Sequence, residues 1–443
     1  MQLFGVVLAF VVIMLLSIRR VPLGKVMFTA TVIIASTSGM PFQSVLRTVW
    51  NSFTDRTTLE LAASVMSIGI FSTVMHQLSF LEQTVRGLSG FLGNVKAAIM
   101  AVPALIGSMP VLGGAAVSAP LVDKLGEPLD LSPSQKAAIN LVFRHGMFFI
   151  FPFSPSLVLA SKLMGYSVGK LISYLWPLSV VLWGVGYVAL LRKVPSARIP
   201  APTGPAYPEL SATESGVGPK VGPSGHARTA KPEKGIPTES RMDSLATFLR
   251  YGSPLLVALV MSMVLKLPLY LSLLAGTCLA AVLGYAEKRA VVSITEVLKG
   301  ANLNQVVAMF WIMAFKAFVT LSPVFGSLVE TAKSRGISPV LMALLFPLVF
   351  GFGSASQTTT VGVLLPVLVP AAASDAARLF FTCVVYGSSF MAYFASPLHL
   401  CQVLTCQYFG IEIPQVYRLY WPVLAGLAAA LGGYAVLLTR FVL

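Results

Sequence analysis

The chain has 443 residues, of which 56% are hydrophobic and 11% are charged, with a net charge of +15. A soluble domain carries about 25% charged residues, so this composition excludes an ordinary soluble protein and indicates a protein of the lipid bilayer. Most lysines and arginines lie in predicted loops, where they anchor membrane proteins, and no nucleic-acid partner is predicted.

The first half predicts four membrane helices, because its apolar spans suit a hydrocarbon core of about 30 Å. In chain order these helices lie near residues 3–18, 26–38, 59–80 and 171–191. An amphipathic stretch at 42–51 is predicted to lie in the membrane interface. Gly, Ser and Pro interrupt two further apolar segments, which predicts a re-entrant hairpin over 95–122 and a broken helix over 135–164. Interrupted backbone at membrane depth must be satisfied by protein or water, so these interruptions are predicted to line a binding site.

Residues 192–243 are rich in Pro, Gly, Ser, Thr and charges, which predicts a disordered linker. This linker divides the chain into a first repeat, residues 1–191, and a second repeat, residues 244–443. The second half predicts the same kinds of element in the same order. They are helices near 253–267, 270–285, 305–321 and 415–438, an interfacial stretch at 294–301, a hairpin at 341–369 and a broken helix at 376–409.

Short motifs recur in the two halves at offsets of 246, 242, 245 and 245 residues. They are Gly107-Ser108 with Gly353-Ser354, Ser154-Pro155 with Ser396-Pro397, Gly165 with Gly410, and Trp176-Pro177 with Trp421-Pro422. With five crossings and one hairpin in each half, the repeats are predicted to be inverted relative to each other. The predicted fold is therefore an all-α polytopic membrane protein. An outside N-terminus places nineteen basic residues in cytoplasmic loops and eight outside, which predicts that both termini are outside and the linker is cytoplasmic.

A hairpin with a Gly-Ser tip and a helix broken at Ser-Pro, both repeated, resemble the ion-transporter superfamily of dicarboxylate, citrate and gluconate permeases. More narrowly, the motif from Gly107 to Pro120 resembles an uncharacterised prokaryotic membrane family, domain of unknown function four-hundred-and-one. The resemblance implies a secondary transporter of the inner membrane that forms a homodimer and moves its substrate domain as an elevator. It also implies site residues at Ser108 to Gly114, Ser154-Pro155, Ser354 to Thr360 and Ser396-Pro397. The dicarboxylate members carry Ser-Asn-Thr at each tip where this chain has Ser108-Met109-Pro110, which leaves proton and sodium coupling both open.

The charged residues favour an anionic substrate. Arg144, His145 and Lys316 fall inside predicted spans, whereas the acidic residues lie near predicted helix ends, in loops or in the linker. A buried cation is costly unless it is paired or hydrated, so a small organic anion such as a carboxylate is the predicted partner. Helix N-termini at the breaks would add positive potential near that anion.

The candidate site combines these cations with the polar residues of the tips and breaks. The predicted substrate-binding residues are Ser108, Gly113, Gly114, Arg144, His145, Ser154, Lys316, Ser354, Ser356, Gln357, Thr358, Thr359, Ser396 and His399. The predicted coupling-ion ligands are Ser354, Thr358, Thr359 and Thr360, because a hard cation requires oxygen atoms. In the alternative interpretation the hydroxyls satisfy neighbouring helices, Lys316 extends to the interface, Arg144 binds freed carbonyls, and the histidines carry protons or are structural.

Other functional classes find less support in the sequence. The four cysteines show no metal-ligand spacing and the histidines are scattered, so no metal and no cofactor are predicted, with sodium as a candidate coupling ion only. Neither a nucleophile motif nor a zinc-protease motif is present, so the chain is predicted not to be an enzyme. The predicted function is secondary active transport of a small organic anion, coupled to a proton or sodium gradient. An anion channel and a non-transporting membrane sensor are the alternatives.

Overall fold

The computed structural model is all-helical across the residues it describes, which are 2–108, 114–195, 197, 240–289, 293–322, 330–331, 334–369 and 374–442. Ten of its α-helices belong to the first half: α1 (Gln2–Ile18), α2 (Leu23–Thr37), α3 (Phe42–Thr54), α4 (Arg56–Gln77), α5 (Phe80–Leu92), α6 (Val95–Gly107), α7 (Gly114–Gly126), α8 (Pro133–His145), α9 (Pro155–Met164) and α10 (Val168–Leu190). The second half contributes α11 (Arg241–Met263), α12 (Leu269–Ala286), α13 (Ile294–Gly300), α14 (Leu303–Leu321), α15 (Pro339–Ser354), α16 (Gln357–Leu368), α17 (Asp375–Ala395), α18 (Leu400–Phe409) and α19 (Ile413–Val442).

Seven helical segments of the described chain are long and apolar enough to cross a membrane. Their burial separates the centre of the fold from its lipid-facing surface. The most apolar window of the segment Asp375–Phe409 is 78% buried inside the protein, whereas the corresponding windows of α11 and α12 are 28% buried. The molecule is therefore a multi-pass membrane protein with α17 in its interior and α11 and α12 at its apolar periphery.

The described helices include one that the sequence analysis did not predict, α5. The predicted helix over 59–80 ends at Gln77, and Ser79 adopts a left-handed conformation with φ of 54° before α5 begins. α5 has 13 residues, which is too few for a span, and it carries Glu82 and Arg86. Its apolar face, which includes Phe80 and Leu81, is buried, and the helix packs against α11.

The predicted interruptions appear as helix ends. α6 and α7 pack against each other over the first predicted hairpin, and α15 and α16 do so over the second. Gly113 and most of the predicted linker lie outside the described residues. α11 begins at Arg241, inside the predicted linker, where Ser240 and Asp243 form a capping box.

Helices of the two halves pack against each other throughout the molecule. α2 contacts α14 and α4 contacts α12, while α9 contacts α16 and α7 contacts α18. α10 and α19, the last helices of the two halves, also contact each other. The two halves therefore share one interior, which is built around α8, α9, α16, α17 and α18.

A polar cluster at the end of α12 ties the two halves together. The Glu287 carboxylate accepts hydrogen bonds from Arg289 Nε at 2.7 Å and Tyr251 Oη at 3.1 Å, and Arg250 Nε lies 2.8 Å from it. Arg289 also donates to the carbonyl of Leu78 at the end of α4, at 2.6 Å. Partial burial opposes ionisation of Glu287, but the hydrogen bonds from Arg289 and Tyr251 and the two arginine charges lower its pKa below the ordinary value of 4.5.

Replacing Glu287 with glutamine should lower the stability of the protein by about 1 kcal/mol at neutral pH. A carboxylate with a lowered folded-state pKa stabilises above its unfolded pKa, and this contribution is lost as the pH falls through the folded value. The melting temperatures of the parent and the variant should therefore converge below pH 4.5. Glu296→Gln is the matched control, because Glu296 is 47% exposed in an i,i+3 pair with Lys299. A constant difference across the pH range would contradict this role of Glu287.

Candidate functional site

Two broken helices meet in the interior of the protein. α8 ends at His145 and the chain resumes helical form in α9 after Ser154, whereas α17 ends at Ala395 and α18 begins after His399. Ser154 is 8% exposed and His399 is 1% exposed, and neither side chain caps the helix that follows it. Because the first N–H groups of a helix have no intrahelical acceptor, α9 and α18 place donors and the positive ends of two helix dipoles inside the protein.

Around the start of α9, four polar side chains form what we call the serine cluster, comprising Ser154, Ser156, Gln357 and Tyr386. Ser156 Oγ lies 3.1 Å from both Ser154 Oγ and Tyr386 Oη, and it donates to Gln357 Oε1 at 3.2 Å. Tyr386 also donates to the carbonyl of Phe148 at 2.8 Å. Gln357 is 3% exposed, and its side-chain Nε2 has no hydrogen-bond partner within the described structure. The cluster therefore holds a buried amide donor at the start of α16.

The hydroxyls of the second hairpin tip mostly bond to one another. Ser356 caps α16 by accepting from the amide of Thr359 at 3.2 Å, and it also accepts from Thr359 Oγ1 at 2.7 Å. Ser354 Oγ lies 3.2 Å from Thr360 Oγ1, which donates to the carbonyl of Ser356 at 2.8 Å. Thr358 is half-buried beside them. Of the predicted coupling-ion ligands, Ser354 thus pairs with Thr360 and Thr359 pairs with Ser356, and these bonds stabilise the hairpin tip.

A second group, the histidine–cysteine cluster, consists of His145, His399 and Cys401. Their candidate ligand atoms all lie within 4.8 Å of one another, and the two imidazole ring centroids are 4.8 Å apart. His145 is 0% exposed and its Nδ1 lies 2.7 Å from the carbonyl of Leu141. In the described chain, His145 Nε2 and at least one ring nitrogen of His399 have no hydrogen-bond partner. His145 and His399 lie in different halves of the sequence, yet the fold brings them together.

Arg144 connects the first hairpin to the broken helices. Its side chain is 5% exposed and lies close enough to both imidazoles for its charge to act on them. Gly107, at the end of α6, packs directly on it, since a Cβ at that position would lie 2.4 Å from the carbonyl oxygen of Arg144. Ser108 follows, with its hydroxyl donating to the carbonyl of Leu105 at 2.6 Å, and α7 resumes at Gly114. The end of the first hairpin therefore lies against Arg144.

Lys316 lies apart from these clusters. Its Nζ donates to the carbonyl of Leu163 at 2.8 Å, at the far end of α9 from Ser154. It also lines a cavity of about 420 Å³ together with Asp55. A cation at a helix C-terminus stabilises the helix dipole, so the structure gives Lys316 a contact that explains its burial without a substrate. Ser396 is likewise engaged, donating to the carbonyl of Phe352 in α15 at 2.7 Å.

Several residues of this region were not among the predicted site residues. Ser156 follows Ser154 by two positions and Cys401 follows His399 by two, so both were visible as neighbours of candidate residues. Asn140 joins α7 to α18, donating to the carbonyl of Ala115 at 3.3 Å and to Thr405 Oγ1 at 3.1 Å. Tyr386 lies within an apolar run and had no sequence signal that distinguishes it from a core residue.

The sequence matches the family model described as "Protein of unknown function (DUF401)" over residues 2–201 and 234–439. The chain belongs to the DUF401 family. This confirms the narrower resemblance that the hairpin motif predicted. Among curated proteins, none matches the sequence.

A solved structure resembles this DUF401 protein in fold, the crystal structure of the Alcanivorax borkumensis YdaH transporter, which is described as revealing an unusual topology. The TM-score is 0.57, with 14% sequence identity, and the match covers 96% of this chain and 97% of that one. At this identity the likeness establishes a common fold and nothing more. The DUF401 chain thus adopts the fold of a known transporter along nearly its whole length.

Proposed function

We propose that this DUF401 protein is a secondary active transporter of a small organic anion, such as a carboxylate, in the prokaryotic inner membrane. The observation that carries the proposal is the burial of Arg144 beside two broken helices whose N-termini lie in the protein interior. Helix N-termini and a guanidinium group both favour an anion, and a buried intramembrane charge marks a functional site. The similarity in fold to the YdaH transporter supports transport over catalysis.

Gln357 and the serine cluster supply the neutral part of the proposed anion site. The orphaned Nε2 of Gln357 is a donor for a carboxylate oxygen, and Ser154 and Ser156 lie beside it at the N-terminus of α9. Coupling by proton or sodium is part of the proposal, with Ser354, Thr358, Thr359 and Thr360 as the oxygen ligands for sodium. The two buried histidines are the proton-carrying candidates.

Reciprocal packing supports two inverted repeats. Apart from α5, the described helices of the two halves follow the same order, and two cross-half contacts have counterparts, α2 on α14 with α12 on α4, and α9 on α16 with α18 on α7. We infer that α6–α7 and α15–α16 are re-entrant hairpins that move with the broken helices as an elevator against a homodimeric scaffold. A cavity of about 800 Å³ between α4 and α9, lined by Glu60 and Lys162, supports a boundary between moving and fixed parts there. The excess of basic residues in the predicted cytoplasmic loops supports the proposal that both termini are outside and the linker is cytoplasmic.

A ligand screen tests the proposal. Purified protein is heated with a panel of small carboxylates in sodium and potassium buffers at two pH values, because a ligand that binds the folded state raises the melting temperature. We expect one anion class to raise it, with sodium or low pH increasing the shift. Gln357→Ala should weaken binding by about 10-fold or more, since a hydrogen bond to a charged group contributes about 1.5–3 kcal/mol. Gln415→Ala, at an exposed position of α19, is the matched control.

Counterflow in proteoliposomes separates the alternatives. Saturable uptake that is accelerated by unlabelled substrate inside the vesicles is expected of a transporter. Conduction without counterflow would identify an anion channel, and ligand binding without flux would identify a membrane sensor. A flat melting response to every carboxylate, together with no flux, would contradict the proposed function.

A further inference from the structure

The histidine–cysteine cluster has the composition of a metal site. Imidazole nitrogen and thiolate sulfur are the ligands that zinc and related late first-row transition metals prefer. His145 Nε2, His399 and Cys401 offer one such atom each, within 4.8 Å of one another. His145 comes from the first broken helix, whereas the other two residues come from the second, so the cluster would join the two halves.

The hydrogen bond made by His145 Nδ1 leaves Nε2 of the same ring available to bind a metal ion. Its Nδ1 donates to the carbonyl of Leu141 at 2.7 Å, which fixes the tautomer that leaves a lone pair on Nε2. In metalloproteins a ligating histidine almost always donates its other N–H to a carbonyl or a carboxylate in this way. Nε2 itself is buried and has no hydrogen-bond partner among the described residues.

His399 presents an unsatisfied imidazole to the same point. The residue is 1% exposed, and its one polar contact is with the backbone of Phe394, so at least one ring nitrogen has no hydrogen-bond partner in the described chain. Leaving buried polar atoms without partners costs about 1–3 kcal/mol, so the arrangement points to a ligand that supplies the missing bonds. The ring of Tyr393, 4.0 Å away between centroids, and that of Phe394 form an apolar wall around it.

We propose that His145, His399 and Cys401 bind a transition-metal ion of the zinc type between the two broken helices. Ligand atoms around tetrahedral zinc are separated by about 3.5 Å, so the three residues need to close by about 1 Å. A Cys401 thiolate would offset part of the positive charge that the metal adds beside Arg144. Three protein ligands would leave one coordination position of a tetrahedral metal ion open. An anion would bind the metal at that position, next to the two imidazoles. The metal site itself does not depend on which anion, if any, is transported, and with metal bound the two histidines would not act as proton carriers.

Metal analysis of the intact, tag-free protein tests this proposal. After incubation with Zn²⁺ and gel filtration, we expect about one zinc per chain, and Co²⁺ should give the charge-transfer absorption of a cobalt–thiolate bond. Cys401→Ser should abolish that absorption, and His399→Gln should weaken Zn²⁺ binding by at least about 10-fold, because loss of an outer-shell partner alone costs about 10- to 100-fold. Cys278→Ser, at an exposed cysteine of α12, should leave both signals unchanged.

Each outcome decides the question. Zinc content in the parent no higher than in a His145→Gln/His399→Gln/Cys401→Ser variant would overturn the proposal, as would a cobalt spectrum without thiolate absorption. If the cysteine variant does not fold, His399→Gln and Cys278→Ser decide, because the proposal requires the cobalt–thiolate absorption to fall in the first and to persist in the second. Retention of the absorption in Cys401→Ser and its loss in Cys278→Ser would place the metal elsewhere.

Discussion

Replacing Arg144 with alanine should weaken anion binding by about 30-fold or more. Arg144 is 5% exposed and lies where the first hairpin meets the broken helices. Truncating one member of a buried, hydrogen-bonded charge pair costs about 2–5 kcal/mol, which corresponds to at least that loss of affinity. Substrate-dependent thermal shift and uptake into proteoliposomes measure the effect.

Two further variants make the Arg144 experiment specific. Arg144→Lys keeps the charge without the planar fork of donors, so an intermediate affinity is expected. Arg19→Ala removes an exposed arginine after α1 and should leave binding unchanged. If Arg144→Ala, inserted and monodisperse, binds the anion as tightly as the parent, the proposed site is wrong.

Replacing Gly107, the last residue of α6 in the first hairpin, with alanine should displace Arg144. The added Cβ would lie 2.4 Å from the carbonyl oxygen of Arg144 and 2.7 Å from its Cγ, which is closer than atoms can approach. The end of α6 and the end of α8 must therefore move apart. Overpacking of this kind costs about 1–3 kcal/mol, and the displaced guanidinium should also reduce transport.

Gly184→Ala is the matched control for this substitution. Gly184 lies in α10, and a Cβ added there would have no atom within 4 Å, so alanine should change stability by at most about 1 kcal/mol, in the favourable direction. Melting temperature and transport rate are compared for the two variants. If Gly107→Ala and Gly184→Ala have the same melting temperature and the same transport rate, the contact between α6 and Arg144 does not contribute to stability or transport.

The apolar spans of the sequence, and the Gly, Ser and Pro residues that interrupt them, were sufficient to predict most of the helices. Apolar spans located α1, α2, α10, α12 and α14, and the Ser-Pro breaks located the interruptions of both broken helices. α5 was missed because it is short and amphipathic, and its stability comes from packing on α11, which local sequence does not encode.

The candidate site was predictable only where charge or backbone chemistry marked it. Arg144 and His145 stood out because ionisable groups are rare in apolar segments, and the structure buries both. Lys316 stood out for the same reason, yet a carbonyl at the end of α9 is its partner in the structure. His145 lies near Cys401, and Ser156 lies near Tyr386, because the two halves pack against each other. One-dimensional patterns carry no information on such contacts.

The packing of helices across the two halves has a consequence for synthesis of the protein. The first half emerges from the ribosome before α16, α17 and α18 exist, so Asn140 and Ser156 enter the membrane without Thr405 and Gln357, their partners from the second half. Polar side chains exposed to lipid are unfavourable, and α9 and α7 lack their neighbours during this interval. The first half is therefore an incompletely packed intermediate, and its final arrangement is reached only after the second half has been inserted.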